Sequence, residues 1–167
     1  FPNAITDDLF KKIAAVLRIA VPYTGIIVST RESQKSREEV LEVGVSQISG
    51  GSRTSVGGYA EEEEESSKQF EISDNRSLDD IIKWLADIDY LPSFCTACYR
   101  EGRTGDRFMA FAKSGQIKNF CQANAVLTLK EYENDYAKEE TKKSIDKIMI
   151  NEIEKIPNEK VPNSKHP

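Results

Sequence analysis

SFCTACYREGRTGDRF, residues 93–108, holds two of the three cysteines of the chain, Cys95 and Cys98, as a C-x-x-C. The third, Cys121, lies in IKNFCQANA and completes the spacing C-x2-C-x22-C. A structural zinc site wants four closed ligands, usually Cys and His. The single histidine, His166, stands in the last residues of the chain, so zinc would need a ligand from a distance. An odd number of thiols fits a disulfide framework poorly. A thioredoxin-type pair sits where a strand meets a helix start. Here the motif comes after Leu91-Pro92-Ser93-Phe94 and precedes Tyr-Arg-Glu-Gly, which reads as loop. An iron–sulfur cluster suits three thiolates better. A [4Fe–4S] cube has four irons, so three cysteines leave one corner open to a small ligand, a substrate or a group from outside the chain. Zinc, a redox pair, or thiols that merely pack as small hydrophobes in a noncatalytic scaffold module remain the alternatives.

The neighbours of the cysteines support an anionic cluster. Arg100, Arg103 and Arg107 flank them. Cations beside a thiolate favour that form and tune a cluster's potential; the plain alternative is surface pairing with Glu101 and Asp106. Between Cys98 and Cys121 the stretch GDRFMAFAKSG (105–115) reads as a helix of about ten residues, roughly 15 Å long, closed by Gly115. The remaining dozen residues suffice to bring the chain back.

Upstream the pattern differs. Thr6 reads as an N-cap with Asp7 and Asp8 in the first turn. Leu9, Ile13, Val16, Leu17 and Ala20 continue at helical spacing until Pro22. GIIVST (25–30) and VGVSQIS (43–49) read as buried strands around a short helix SREEVLEV (36–43). This alternation predicts parallel βα units. Two strands neither close a barrel nor make a stable parallel sheet alone, which points to a piece of a larger or processed chain. Residues 61–76, opening on EEEEE, read as an acidic loop. Beyond it the sequence is helical over 77–156. Ser77 with Asp80 resembles a capping box ahead of LDDIIKWLADI, and Thr128 with Glu131 resembles another. Ile145, Ile148, Met149, Ile153 and Ile156 form one apolar stripe stopped by Pro157. Residues 157–167 read as a disordered tail.

The 167 residues carry a net charge of -5, which argues against a nucleic-acid partner, since phosphate backbones need a basic face. No run of about 18 apolar residues is present, so no membrane span is expected. With no signal peptide, the cytoplasm is the expected compartment.

SFCTACYREGRTGDRFM and the C-x2-C-x22-C spacing resemble the C-terminal domain of the HydG-type radical S-adenosylmethionine (SAM) family, the tyrosine lyase maturases of [FeFe]-hydrogenase. EVLEVGVSQISGGSRTSVGGY is similar to that family's last barrel strand and the segment after it. FPNAITDDLFKKIAAVLRIAVPYTGIIVSTRE is similar to the helix and strand before. The resemblance implies the last two βα units of a TIM-type barrel over residues 1–60, then a mostly helical auxiliary-cluster domain over 77–156. It implies that Cys95, Cys98 and Cys121 ligate an auxiliary [4Fe–4S] cluster with an extra iron at its open corner. In the whole enzyme a second cluster, in the barrel, cleaves SAM. The radical so formed breaks tyrosine to p-cresol and dehydroglycine, which yields carbon monoxide and cyanide for the hydrogenase H-cluster. A hydrogenase assembly scaffold would be the partner downstream. Arg31, at a strand's C-terminal end, is placed to pair with a substrate carboxylate, with Ser29 on its face by strand alternation and Gln47 and Ser49 on the second strand. Ordinary strand-end polarity is the plainer account of these four. The family's C-x3-C-x2-C motif is absent, and so are the first barrel strands. This chain alone is expected to bind no SAM cluster, to be inactive, and to depend on the missing barrel.

Overall fold

The computed structural model describes residues 5–55, 57–60, 70–94 and 106–155. The acidic run 61–69 and the tail lie outside them. The chain divides into two compact units, Phe1–Leu78 and Asp79–Pro167.

The first unit is a helix and then a β–α–β crossover. Helix α1 (Asp7–Ala20) opens as its sequence predicts: Thr6 is extended and its hydroxyl accepts from Leu9 N, with Asp7 and Asp8 in the first turn. Strand β1 (Ile27–Val28), helix α2 (Gln34–Glu42) and strand β2 (Gln47–Ile48) come next, and the strands pair in parallel, Ile27 with Gln47 and Val28 with Ile48. Both strands are shorter than GIIVST and VGVSQIS predict, because each has one partner and, among the described residues, no third strand extends the ladder. Helix α2 ends in a Schellman turn. Val45 N bonds Val40 O and Gly44 N bonds Leu41 O, with Gly44 at φ 100°, a conformation that costs glycine little.

Two arginines hold this unit together. Arg18, in the last turn of α1, sends its guanidinium to the carbonyls of Gly44 (2.8 Å), Pro22 (2.9 Å) and Thr24 (2.8 Å). It thereby ties the end of α1 to the turn before β2. Arg37 of α2 is fully buried, pairs with Asp74 and donates to the carbonyl of Ser49. Asp74 is further held by Arg76, whose Nη2 lies 2.6 Å from Oδ2, and its backbone N–H reaches Thr30 O at 3.0 Å. Burial pushes the Asp74 carboxyl up, but the bonds from Arg76 and the charge of Arg37 outweigh it and hold it below the usual carboxylate range. Its stabilisation is therefore complete above the unfolded aspartate value of about 3.9 and is lost as pH falls through the lower folded value.

The apolar stripe of α1 is not buried as its spacing suggests. Leu9, Ile13, Val16 and Leu17 are all exposed, Val16 at 64%, and only Ala14 is buried. Among the described residues of this unit, nothing covers that face.

The second unit is helical: α3 (Leu78–Asp87), α4 (Asp106–Lys113), α5 (Ile117–Asp135) and α6 (Glu139–Glu154). Its core joins Ile82 and Ala86 of α3, Leu129 and Tyr132 of α5, and Ile145, Ile148 and Met149 of α6. Each set recurs at three, four or seven residues, as one face of a helix requires. The stripe read for α6 ends at Met149; Ile153 is 54% exposed, and Ile156 lies outside the described residues. Thr128 and Glu131 do not open a helix. Nineteen residues without Gly or Pro run through them as α5, and the Thr128 hydroxyl bonds back to Ala125 O at 3.2 Å, a bond available inside a helix. Gly115, at φ 74°, does close α4 as expected.

A buried carboxyl organises this core. Asp79 accepts from the Tyr132 hydroxyl (3.0 Å) and the Thr141 hydroxyl (2.7 Å), so it bonds to α5 and α6 from the first turn of α3. Burial, and then the bond to Asp79, pushes the Tyr132 hydroxyl well above its ordinary range, so it acts as a neutral donor. Further along α3, Ser144 donates to Asp87 at 2.7 Å.

Two substitutions test these ties. Arg37→Ala strips Asp74 and the Ser49 carbonyl of a buried partner and is expected to cost about 3–5 kcal/mol. Native-state hydrogen exchange should show it at the Ser73 and Asp74 amides; unchanged protection there contradicts it. Thr141→Val keeps the shape but removes a donor from Asp79, for a cost of about 1–3 kcal/mol. Urea unfolding followed by Trp84, the only tryptophan, measures it; an unshifted midpoint contradicts it.

Candidate metal centre

Helix α5 carries the one cysteine among the described residues. Cys121 sits in its second turn and is exposed. Its neighbours on either side are fixed. Phe120 meets Phe111 of α4 edge to face, ring centroids 5.9 Å apart. Gln122 donates to the Glu152 carboxylate of α6 at 2.9 Å. The bond from Lys155 and that from Gln122 outweigh partial burial and keep the Glu152 carboxyl below its usual range.

The surroundings suit an anionic cluster. Among the described helices of this unit, α5 alone opens without an acid in its first turn; α3, α4 and α6 begin with Asp79 and Asp80, Asp106, and Glu139 and Glu140. In an acidic chain this leaves Cys121 with Lys118 one turn before it and no carboxylate along α5 until Glu131. A thiolate near positive rather than negative charge keeps its ionised, metal-binding form more easily. The exposed thiol, on a helix whose first three turns carry no carboxylate, fits a soft-metal ligand.

Cys95, Cys98, Arg100 and Arg103 lie outside the described residues, as does the side chain of Arg107, whose backbone belongs to α4. The chain can be followed to Phe94, immediately before Cys95. Helix α3 closes with Asp89 in the left-handed region (φ 61°), Tyr90 N bonding Leu85 O and Asp89 N bonding Ala86 O. Leu91 then packs on the core and Phe94 stacks on Tyr132, centroids 5.1 Å apart. Sequence reasoning took neither Tyr132 nor Asp79 as part of the site. The available signal was register: Asp79 precedes Ile82 and Ala86 on one face of α3.

In the first unit, Ser29, Arg31 and Ser49 gather at the C-terminal ends of β1 and β2. Strand alternation does not relate Ser29 to Arg31. The strand ends at Val28, and the Ser29 hydroxyl accepts from Arg31 N (3.1 Å) in the turn after it. The Arg31 guanidinium lies over Phe70, 3.8 Å from the ring centre. That contact uses the face of the group and leaves the edge that a carboxylate pairs with. Gln47 belongs to β2, with its side chain over Gly25; a Cβ there would stand 3.1 Å from Oε1. The buried Arg37 behind Ser49 was missed, although it stands on α2 in register with buried Val40 and Leu41.

This βα arrangement, together with helix α3, is recognised at the family level: residues 1–91 match the Biotin and Thiamin Synthesis associated domain, BATS, and the chain belongs to that family. The cysteines lie beyond the matched residues. A second similarity spans more of the chain. The chain is similar to the crystal structure of HydG, a maturase of the [FeFe]-hydrogenase, at 57% identity and a TM-score of 0.85 over 95% of this chain. The resemblance to HydG-type maturases drawn from the cysteine spacing thus holds. The match covers 34% of the solved chain, so this chain spans about a third of its length. The comparison with curated proteins returned no match. Among the described residues no helix is long and apolar enough to cross a membrane.

The exposure of Cys121 has a direct check. In the folded, metal-free chain iodoacetamide is expected to alkylate it within about tenfold of the rate in urea, as for an accessible thiol. Peptide mass spectrometry reads the rate; a thiol protected until the chain unfolds contradicts the site.

Proposed function

We propose that this chain is the C-terminal part of a radical SAM tyrosine lyase that makes CO and CN ligands for the [FeFe]-hydrogenase H-cluster, with p-cresol as by-product. The observation that carries this reading is 57% identity to HydG across 95% of the chain, beside the C-x2-C-x22-C spacing of Cys95, Cys98 and Cys121. Cys95, Cys98 and Cys121 would hold an auxiliary [4Fe–4S] cluster. When bound, such a cluster supplies an open corner at which a further iron can be ligated. Arg100, Arg103 and Arg107 add positive charge next to two of the thiols. The chain's own part is to keep three thiolates together in acid-poor surroundings.

The first unit is the last two βα units of the barrel. Its parallel pair and the exposed apolar face of α1 support this, because a neighbouring barrel helix would cover Leu9, Ile13, Val16 and Leu17. Arg31 would pair with a substrate carboxylate at the strand ends, beside Ser29 and Ser49, with Gln47 one step below. SAM, its own cluster and tyrosine belong to the rest of the barrel, the principal partner, and a hydrogenase assembly scaffold takes the product. The odd thiol count and the oxygen-sensitive cofactor favour the cytoplasm. Nucleic acid and membrane have no part in this reading.

Anaerobic reconstitution with iron and sulfide tests the reading. A brown chain is expected, with an EPR signal after reduction that is lost in Cys95→Ala, Cys98→Ala and Cys121→Ala and altered by added cysteine and Fe²⁺. Loading should protect all three thiols from alkylation together. A colourless chain that binds zinc, or no metal, would favour a scaffold module and sink the proposal.

A further inference from the structure

We propose that Phe70 is a positioning residue for Arg31: its ring backs the guanidinium and holds the edge of that group ready for the carboxylate of a small-molecule ligand at the C-terminal ends of β1 and β2. This rests on the carboxylate reading of Arg31 above. The Arg31 guanidinium carbon stands 3.8 Å from the centre of the Phe70 ring, well within the reach of a cation–π contact. Contact through the face leaves the N–H donors along the edge, a fixed fork that matches a carboxylate in two parallel bonds. Among the described residues no carboxylate takes that edge. Glu32 and Glu71, next to Arg31 and Phe70 in the chain, form no ion pair with it. Two further arginines at these strand ends, Arg37 and Arg76, share Asp74.

Phe70 is far from Arg31 in sequence, and the segment 70–74 brings the two together as a strap across the strand ends. Its first residue is fixed by Thr54, whose hydroxyl donates to the Phe70 carbonyl at 3.1 Å. Its far end is fixed twice. The Ser73 and Asp74 amides both donate to Thr30 O at 3.0 Å, and the Asp74 carboxylate pairs with the buried Arg37. Thr30 and Thr54 are themselves buried. The Arg31 side is fixed as well. The Ser29 hydroxyl accepts from Arg31 N at 3.1 Å, and Thr30, between the two, carries the strap. Ring and guanidinium therefore rise from backbones bonded to one another one residue before Arg31. An unstacked arginine on an exposed turn samples many rotamers, and pairing has to order them. The stack does part of that ordering before a ligand arrives. Lysine has no planar fork to offer. Phe70 touches the guanidinium and not the carboxylate, so it acts through Arg31.

The test uses the full chain labelled with ¹⁵N, with L-tyrosine as the probe against tyramine, which has the same ring and amine without the carboxylate. The amide resonances of Ser29, Thr30 and Arg31 report binding, and hydrogen exchange at the Ser73 and Asp74 amides reports the strap. In the parent, L-tyrosine is expected to move the three resonances and tyramine to leave them in place. Phe70 is 39% exposed, so its contact has the strength of an exposed one. Phe70→Leu should weaken L-tyrosine binding about two- to fivefold, with Ser73 and Asp74 still protected. Phe70→Trp, which keeps a ring, should bind as the parent does. Arg31→Lys, which loses the fork, should bind about tenfold more weakly. Parental binding by Phe70→Leu or by Arg31→Lys overturns the proposal. So does a loss of binding in Phe70→Leu matched by lost protection at Ser73 and Asp74, which makes Phe70 a packing residue of the strap. A parent whose resonances ignore L-tyrosine, or follow tyramine equally, refutes the carboxylate reading of Arg31 instead, and is told apart because the parent itself then fails.

Discussion

A carboxyl group removed from water has to be met by donors, and in the helical unit that requirement falls on Asp79. It sits 8% exposed in the first turn of α3. Its oxygens accept from Tyr132, Thr141 and the Lys138 amide. An unmet buried polar group costs about 1–3 kcal/mol, so the three helices are fixed in the one arrangement that brings those donors together. Apolar contact among Ile82, Leu129, Ile145 and Ile148 drives the association but is not directional. The bonds to Asp79 choose the register. Through Tyr132 the same constraint reaches Phe94, the last described residue before the first thiol.

The βα unit has a parallel construction with a different outcome. Arg37 is buried and met by Asp74 and the Ser49 carbonyl, which fixes α2, the end of β2 and the 70–76 segment on one another. Yet this unit leaves its most amphipathic helix, α1, with its apolar side in water. A sheet of two strands has few ways to cover a helix. Among the described residues, the exposed face and the short ladder go together with the lack of a neighbouring strand and helix.

Much of this was legible in the sequence. Local chemistry placed the N-cap at Thr6, the stop at Gly115, the β–α–β alternation and the stripe through Ile145, Ile148 and Met149. Each depends on residues within a few positions of one another. The illegible part depends on distance. Nothing near Asp79 announces a partner 62 residues away at Thr141, and Arg37 looks like any surface charge until Asp74 is folded against it. Thr128 with Glu131 misled because a capping pattern inside an uninterrupted helix has no end to cap. The spacing of the thiols pointed to a cluster, but the stack of Phe94 on Tyr132 needed coordinates.

Three cysteines that hold a cube leave one iron unlike the other three, and the proposed function turns on that difference. Mössbauer spectroscopy of the chain reconstituted with ⁵⁷Fe reads it directly. One iron in four is predicted to change its isomer shift and splitting when a small thiolate or cyanide is added, while three stay as they were. Four irons that respond alike, or no cluster to observe, would contradict it.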